Sequence, residues 1–229
     1  MRMGHHWERA ALARTVLVGL AVLGLGFAVC RADDTHEYWQ QIEARTQVDS
    51  LWDVQVQELL KYADKAVGLY CENTDAALWY KGLASWMDVA AGFQTEYRRT
   101  GDGGRPLEYR PHTDAQLKTT CGGFSISNRC RLEYRDLDGE CDVWRYRNLI
   151  KVRFPGQYTR FRLRGYVAEE PFVTFSDAGF NRNRLYLGTT WQLTEGVEGA
   201  IFYLWEARKS DEGWSNGHIL GTNLTFLLK

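Results

Sequence analysis

The chain has 229 residues, with 28 basic and 29 acidic side chains and a formal net charge of −1. That balance excludes the basic excess expected of a nucleic-acid-binding domain. Beyond residue 32 no apolar run reaches about 18 residues, so helical membrane spans are excluded from that part of the chain.

Residues 1–32 read as a signal peptide. Arg2, Arg9 and Arg14 make a basic start, and Thr15 to Val29 is an apolar run too short to span a bilayer. Cleavage is expected after Ala32, with cleavage after Cys30 as the rival. Removing 1–32 leaves 24 basic against 28 acidic side chains. The remaining residues, 33–229, are expected to form one domain.

From there the chain alternates apolar and polar residues, the period-two signature of a strand. Strands are predicted at 37–47, 51–63, 76–84, 87–98, 107–119, 124–136, 142–154, 158–173, 180–193, 197–208 and 214–228. The alternation is weakest in 37–63, where Glu58 falls on the face of Val54, Val56, Leu60 and Tyr62; a bulge or a misplaced boundary is expected there. Short connections (near 48–50, 84–87, 120–123, 155–157, 194–196) alternate with longer polar ones (64–75, 99–106, 137–141, 174–179, 209–213). Outer-membrane barrels have this asymmetry. Eleven segments conflict with an even-stranded barrel, so 37–47 is expected outside the wall, leaving ten strands, or a twelfth is still hidden.

The alternation is strongest in 124–193. One face carries large apolar groups such as Phe124, Leu132, Trp144, Ile150, Phe161, Leu185 and Trp191. The other carries Arg129, Arg131, Glu133, Arg135, Arg145, Arg147, Lys151, Arg153, Arg160, Arg162, Arg164, Glu170, Arg182 and Arg184. Asp53, Glu96, Glu108, Asp114, Glu198 and Glu206 fall on the same inward face of other strands. In the hairpin 124–154 a turn centred on Gly139 sets Glu133 against Arg145 and Tyr134 against Trp144. An arginine–carboxylate network would plug the lumen; a ladder of free cations would instead favour anions in a pore. Small barrels are largely filled by side chains, which favours the plug. In a soluble sheet the same arginines would be the solvated face. Trp144, Tyr146, Trp191, Tyr203, Trp205 and Trp214 would form an interface belt in a membrane, or a core in a soluble sandwich.

Cys71, Cys121, Cys130 and Cys141 follow the leader. None makes a Cys-x-x-Cys pair and no histidine cluster accompanies them, so neither metal nor cofactor is expected. Cys71 and Cys141 fall in or beside loops at one end and are candidate disulfide partners. His112 with Asp114, and Ser125 and Ser127 on the next strand, sketch a lipase-like arrangement. Neither Ser125 nor Ser127 lies in a Gly-x-Ser-x-Gly elbow, and no catalytic residue is assigned.

The stretches FSISNRCRLEYR (Phe124 to Arg135), WRYR (Trp144 to Arg147), EPF (Glu170 to Phe172) and FNRNRLYLG (Phe180 to Gly188) resemble the domain of unknown function 2490 family. Tyr38, Trp39 and the segment Leu59 to Tyr62 resemble its opening. The resemblance spans roughly 37–229 and implies an outer-membrane β-barrel of a Gram-negative bacterium, of uncharacterised role. The chain departs from it in its extra cysteines, and it ends in Leu227, Leu228 and Lys229 where such barrels often end on an aromatic residue.

The leading expectation is therefore an all-β, antiparallel up-and-down barrel of 10–12 strands. It would be a non-enzymatic narrow pore or structural component of the outer membrane, with membrane lipid and the outer-membrane assembly machinery as partners and no nucleic acid. The alternatives are a soluble periplasmic barrel binding a small anionic or lipid ligand, and a barrel-embedded lipid hydrolase using His112.

Overall fold

The computed structural model describes residues 36–63, 68–99, 103–137, 142–156, 158–159, 161–211 and 213–228. The signal peptide expected at 1–32 lies outside the described residues.

Eleven strands close into one barrel: β1 (His36–Gln47), β2 (Trp52–Ala63), β3 (Gly68–Ala84), β4 (Met87–Arg98), β5 (Leu107–Cys121), β6 (Phe124–Leu137), β7 (Val143–Arg153), β8 (Arg164–Thr174), β9 (Gly179–Thr194), β10 (Val197–Ser210) and β11 (Gly213–Leu228). Each pairs antiparallel with its sequence neighbour. The exception is the closure, where β1 lies parallel to β11 from His36 opposite His218 to Thr46 opposite Leu228. The expected choice between ten and twelve strands is thus corrected to eleven. A meander of odd strand number can close only by laying its first strand parallel to its last, and closure leaves no unpaired edge. One consequence is that β1 starts at the end opposite to the one where β11 stops.

The turn end carries the connections 48–51, 85–86, 122–123, 154–163 and 195–196. The loop end carries 64–67, 99–106, 138–142, 175–178 and 211–212. The asymmetry is weaker than expected, because 154–163 is long and 211–212 is as short as a turn. The strand expected at 158–173 begins only at Arg164. Before it lies a tight reversal with Thr159 at φ 68° and Arg162 at φ 51°, bridged by Tyr158 and Leu163. The period-two run Arg160, Arg162, Arg164 continues through this reversal, which is why alternation alone overran it. Arg162 therefore sits in a turn, a correction to its expected lumen position, and Arg160 lies outside the described residues.

Other expectations can be placed directly. The β6–β7 register sets Glu133 opposite Arg145 and Tyr134 opposite Trp144. Glu58 needs no bulge: the β1–β2 register runs unbroken through it, and it lies on the outer face, accepting a 2.6 Å bond from Thr74 Oγ1. Cys71 is not in a loop. It is buried within β3, which starts eight residues earlier than expected, and its thiol is free. Its expected partner Cys141 lies outside the described residues.

Part of the interior is apolar. Trp39, Tyr166, Ala168, Phe202, Leu204 and Ile219 form one buried cluster from β1, β8, β10 and β11. Phe202 lies flat across the neighbouring backbone because its rung partner is Gly221, where a Cβ would stand 2.1 Å from the ring. Gly188 gives Tyr166 the same space, at 2.6 Å. Valine has the better strand propensity. Even so, Gly221→Val should lower unfolding free energy by ~1–3 kcal/mol, the usual cost of overpacking. An unchanged denaturation midpoint would show that the ring is not held there.

Candidate functional site

The charged interior is built by strand parity. Inward positions are the odd ones of β2, β3, β6 and β7 and the even ones of β4, β5, β8 and β10. Residues far apart in sequence therefore meet across one lumen.

Two carboxylates, Glu133 and Glu170, lie at its centre and are essentially inaccessible to solvent. Glu133 is bonded to Arg145 directly opposite, with Arg147 at 3.4 Å. Glu170 accepts from Arg147 Nη2 at 2.7 Å, from Tyr186 Oη at 3.1 Å and from Arg184 Nη1 at 3.3 Å, and Arg129 Nη2 stands 3.4 Å away. Arg184 also donates to Glu206 at 2.6 Å, which receives Arg208 at 2.5 Å. Phe172, fully buried, is enclosed by the guanidiniums of Arg145, Arg147, Arg182 and Arg184, whose centres lie 4.8–5.5 Å from its ring centroid. Cations over an aromatic face are attracted by its quadrupole, most strongly when dehydrated.

A second cluster joins this one through Arg129. Arg131 donates to Asp75 at 2.7 Å and to Asp114 at 2.8 Å. His112 is wedged between the same two carboxylates, Nε2 3.3 Å from Asp75 and Nδ1 3.0 Å from Asp114, with neither nitrogen aligned for a hydrogen bond. Towards the loop end Glu96 binds Arg98 at 2.7 Å and Arg110 at 3.0 Å, and Glu108 binds Arg110 at 2.6 Å and Arg135 at 2.5 Å. Towards the turn end Asp53 takes Arg45 at 2.9 Å and Lys81 at 2.5 Å, and Asp88 is bonded to Lys118.

The expected residues thus divide. Arg129, Arg131, Glu133, Arg145, Arg147, Glu170, Arg182 and Arg184 meet in the buried network. Lys151 and Arg164 lie nearer the turn-end mouth, outside it; the Lys151 ammonium stands 4.7 Å from the centroid of the Tyr166 ring. Asp75 and Asp88 escaped sequence reasoning. Asp88 shares the parity of Glu96, and Asp75 was hidden by the late start given to its strand. Ser125 and Ser127 do not reach His112. The register puts them opposite Thr120 and Lys118, whereas His112 faces Glu133. Ser127 is therefore six rungs along the strand, ~20 Å from His112. Among the described residues no group of three or more His, Cys, Asp or Glu is placed to hold a metal ion.

The outer wall is the second functional surface. Ile42, Val56, Leu78, Leu132, Ile150, Val167, Leu185, Leu187, Ile201 and Leu220 stand exposed on it. Aromatic pairs bound this band. At the loop end are Tyr38–Tyr62, Phe93–Tyr109, Tyr134–Trp144 and Phe180–Trp214; at the turn end are Trp52–Tyr80 and Phe124–Phe154. From Phe124 to Tyr134 the strand rises ~33 Å, which a tilt of about 40° reduces to ~25 Å along the axis, the height of the apolar band on outer-membrane barrels. Two outward carboxylates interrupt it, Glu58 and Glu169, the latter accepting from Asn183 Nδ2 at 3.1 Å.

The model of a family described as "Protein of unknown function (DUF2490)" matches residues 36–217. The chain belongs to this family. The match runs from the first residue of β1 into β11, so the DUF2490 region includes nearly the whole barrel wall. No curated protein matches the sequence. Among solved structures it is similar to a loop L8 deletion mutant of OmpT, an outer membrane protein of Vibrio cholerae, with a TM-score of 0.41 and 12% identity, covering 73% of this chain. The match spans 60% of that chain's length.

Proposed function

We propose that this DUF2490 chain is an integral outer-membrane barrel with a permanently filled lumen, a structural component of the membrane rather than an open pore. The observation that carries this reading is the contrast between its two faces. The outer one is a band of exposed aliphatic residues between aromatic rims, a surface that water disfavours and hydrocarbon accepts. The inner one is charged yet closed, with Glu133, Glu170, Phe172 and Leu204 all essentially inaccessible. Charges so placed hold one another and leave no wide aqueous path. Outer-membrane lipid covers the band. The outer-membrane assembly machinery inserts the barrel.

Planar-bilayer recording of the purified chain tests the filled lumen. The wild type should give a baseline without unitary steps in either polarity. Long-lived, ohmic steps would mean an open pore and would defeat the proposal.

A further inference from the structure

Within the central network each inward arginine has a carboxylate within 4 Å. At the turn-end mouth the pattern breaks. A cavity of about 150 Å³ opens there, lined by Arg153, Arg162, Arg164, Thr190, Gln192 and Glu198. Of its three arginines, among the described residues only Arg153 has a carboxylate within ion-pair distance, Glu198 at 3.2 Å. Arg162 donates to the neutral Gln192 at 2.9 Å. Arg164 has no carboxylate within ion-pair distance among the described residues, and its Nε is buried without a hydrogen-bond partner. Lys151, deeper on the same side, stands 4.7 Å from the centroid of the Tyr166 ring and within the electrostatic reach of Glu198 and Glu43. The other carboxylate at the mouth, Glu195, belongs to the β9–β10 turn.

The connection that brings Arg162 to this mouth is strained. It holds two non-glycine residues, Thr159 and Arg162, in the left-handed region. Such conformations persist where surrounding structure over-determines them, and they gather at binding sites. The cavity exceeds the ~30 Å³ share of one water several-fold, so it admits a small polyatomic anion. A planar guanidinium binds phosphoryl oxygens through two parallel bonds, and threonine and glutamine supply further donors. We infer that the turn-end mouth is a phosphoryl-binding site, with Arg162 and Arg164 as its principal ligands. The site does not depend on the lumen being filled or on the membrane in which the barrel sits.

Isothermal titration calorimetry on the chain purified in an uncharged maltoside detergent tests it with two probes, inorganic phosphate and dihexanoyl phosphatidic acid. Saturable binding is expected. Arg164→Gln should weaken it about tenfold or more, the loss of a charge-assisted bond. Arg162→Gln should weaken it similarly, and lies in an exposed turn where barrel closure is not at stake. Arg105→Gln, an exposed arginine at the opposite end, should change nothing. Binding of free phosphate assigns a soluble ligand; binding of phosphatidic acid alone assigns a lipid headgroup. No saturable binding of either probe, or binding that neither mutation at the mouth weakens, would overturn the inference.

Discussion

Glu170→Ala is expected to lower the unfolding free energy by ~3–5 kcal/mol, because removing one member of a buried ion network leaves its partners charged and uncompensated. Glu170 is 1% exposed and touches Arg129, Arg147, Arg184 and Tyr186. Arg184 keeps Glu206, and Arg147 keeps a longer contact with Glu133, so the loss falls hardest on Arg129, whose remaining carboxylate, Asp114, is 3.8 Å away. Glu169→Ala is the matched comparison, one residue along on the outer face, and should cost far less. Urea denaturation of the folded barrel in detergent reads both. Equal, small losses would mean that the interior charges are solvated and the lumen is wet.

Phe172→Ala should cost a similar ~3–5 kcal/mol, from lost transfer energy and the cavity left behind. Here an apolar side chain supports charged ones. Its ring presents a face to four guanidiniums, and truncation would let water reach Arg145, Arg147, Arg182 and Arg184 together. The variant is therefore also expected to admit small ions where the wild type does not. Phe175→Ala, on a ring 60% exposed just beyond the end of β8, is the control and should be near neutral. A Phe172→Ala protein as stable as the control would contradict the role given to the ring.

Much of this was legible in the residues. Period-two alternation placed nine of the eleven strands to within two positions of their ends, and parity alone sent Glu133, Arg145, Glu170 and Arg184 to one face. The Glu133–Arg145 rung followed from a single turn. Three features were not legible, each for a physical reason. Alternation carries no information about backbone reversal, so Arg160–Arg164 looked like strand while φ at Thr159 and Arg162 turned the chain back. Closure is a property of the whole sheet; no local pattern in 37–47 distinguishes a parallel partner from an antiparallel one. The apolar interior cluster mixes aromatic and small residues from four strands, and a charged-versus-greasy division hid Trp39, Phe202, Leu204 and Ile219 inside the lumen.

The proposed place of this closed barrel in the outer membrane is tested by fractionation of expressing cells, with the membrane pellet run on a gel heated and unheated. The chain should be recovered in the outer-membrane fraction, and the unheated sample should migrate differently from the heated one because the closed barrel resists unfolding in detergent. Recovery in the soluble periplasm, with one mobility under both conditions, would contradict the account and make the apolar outer band a surface covered by protein rather than lipid.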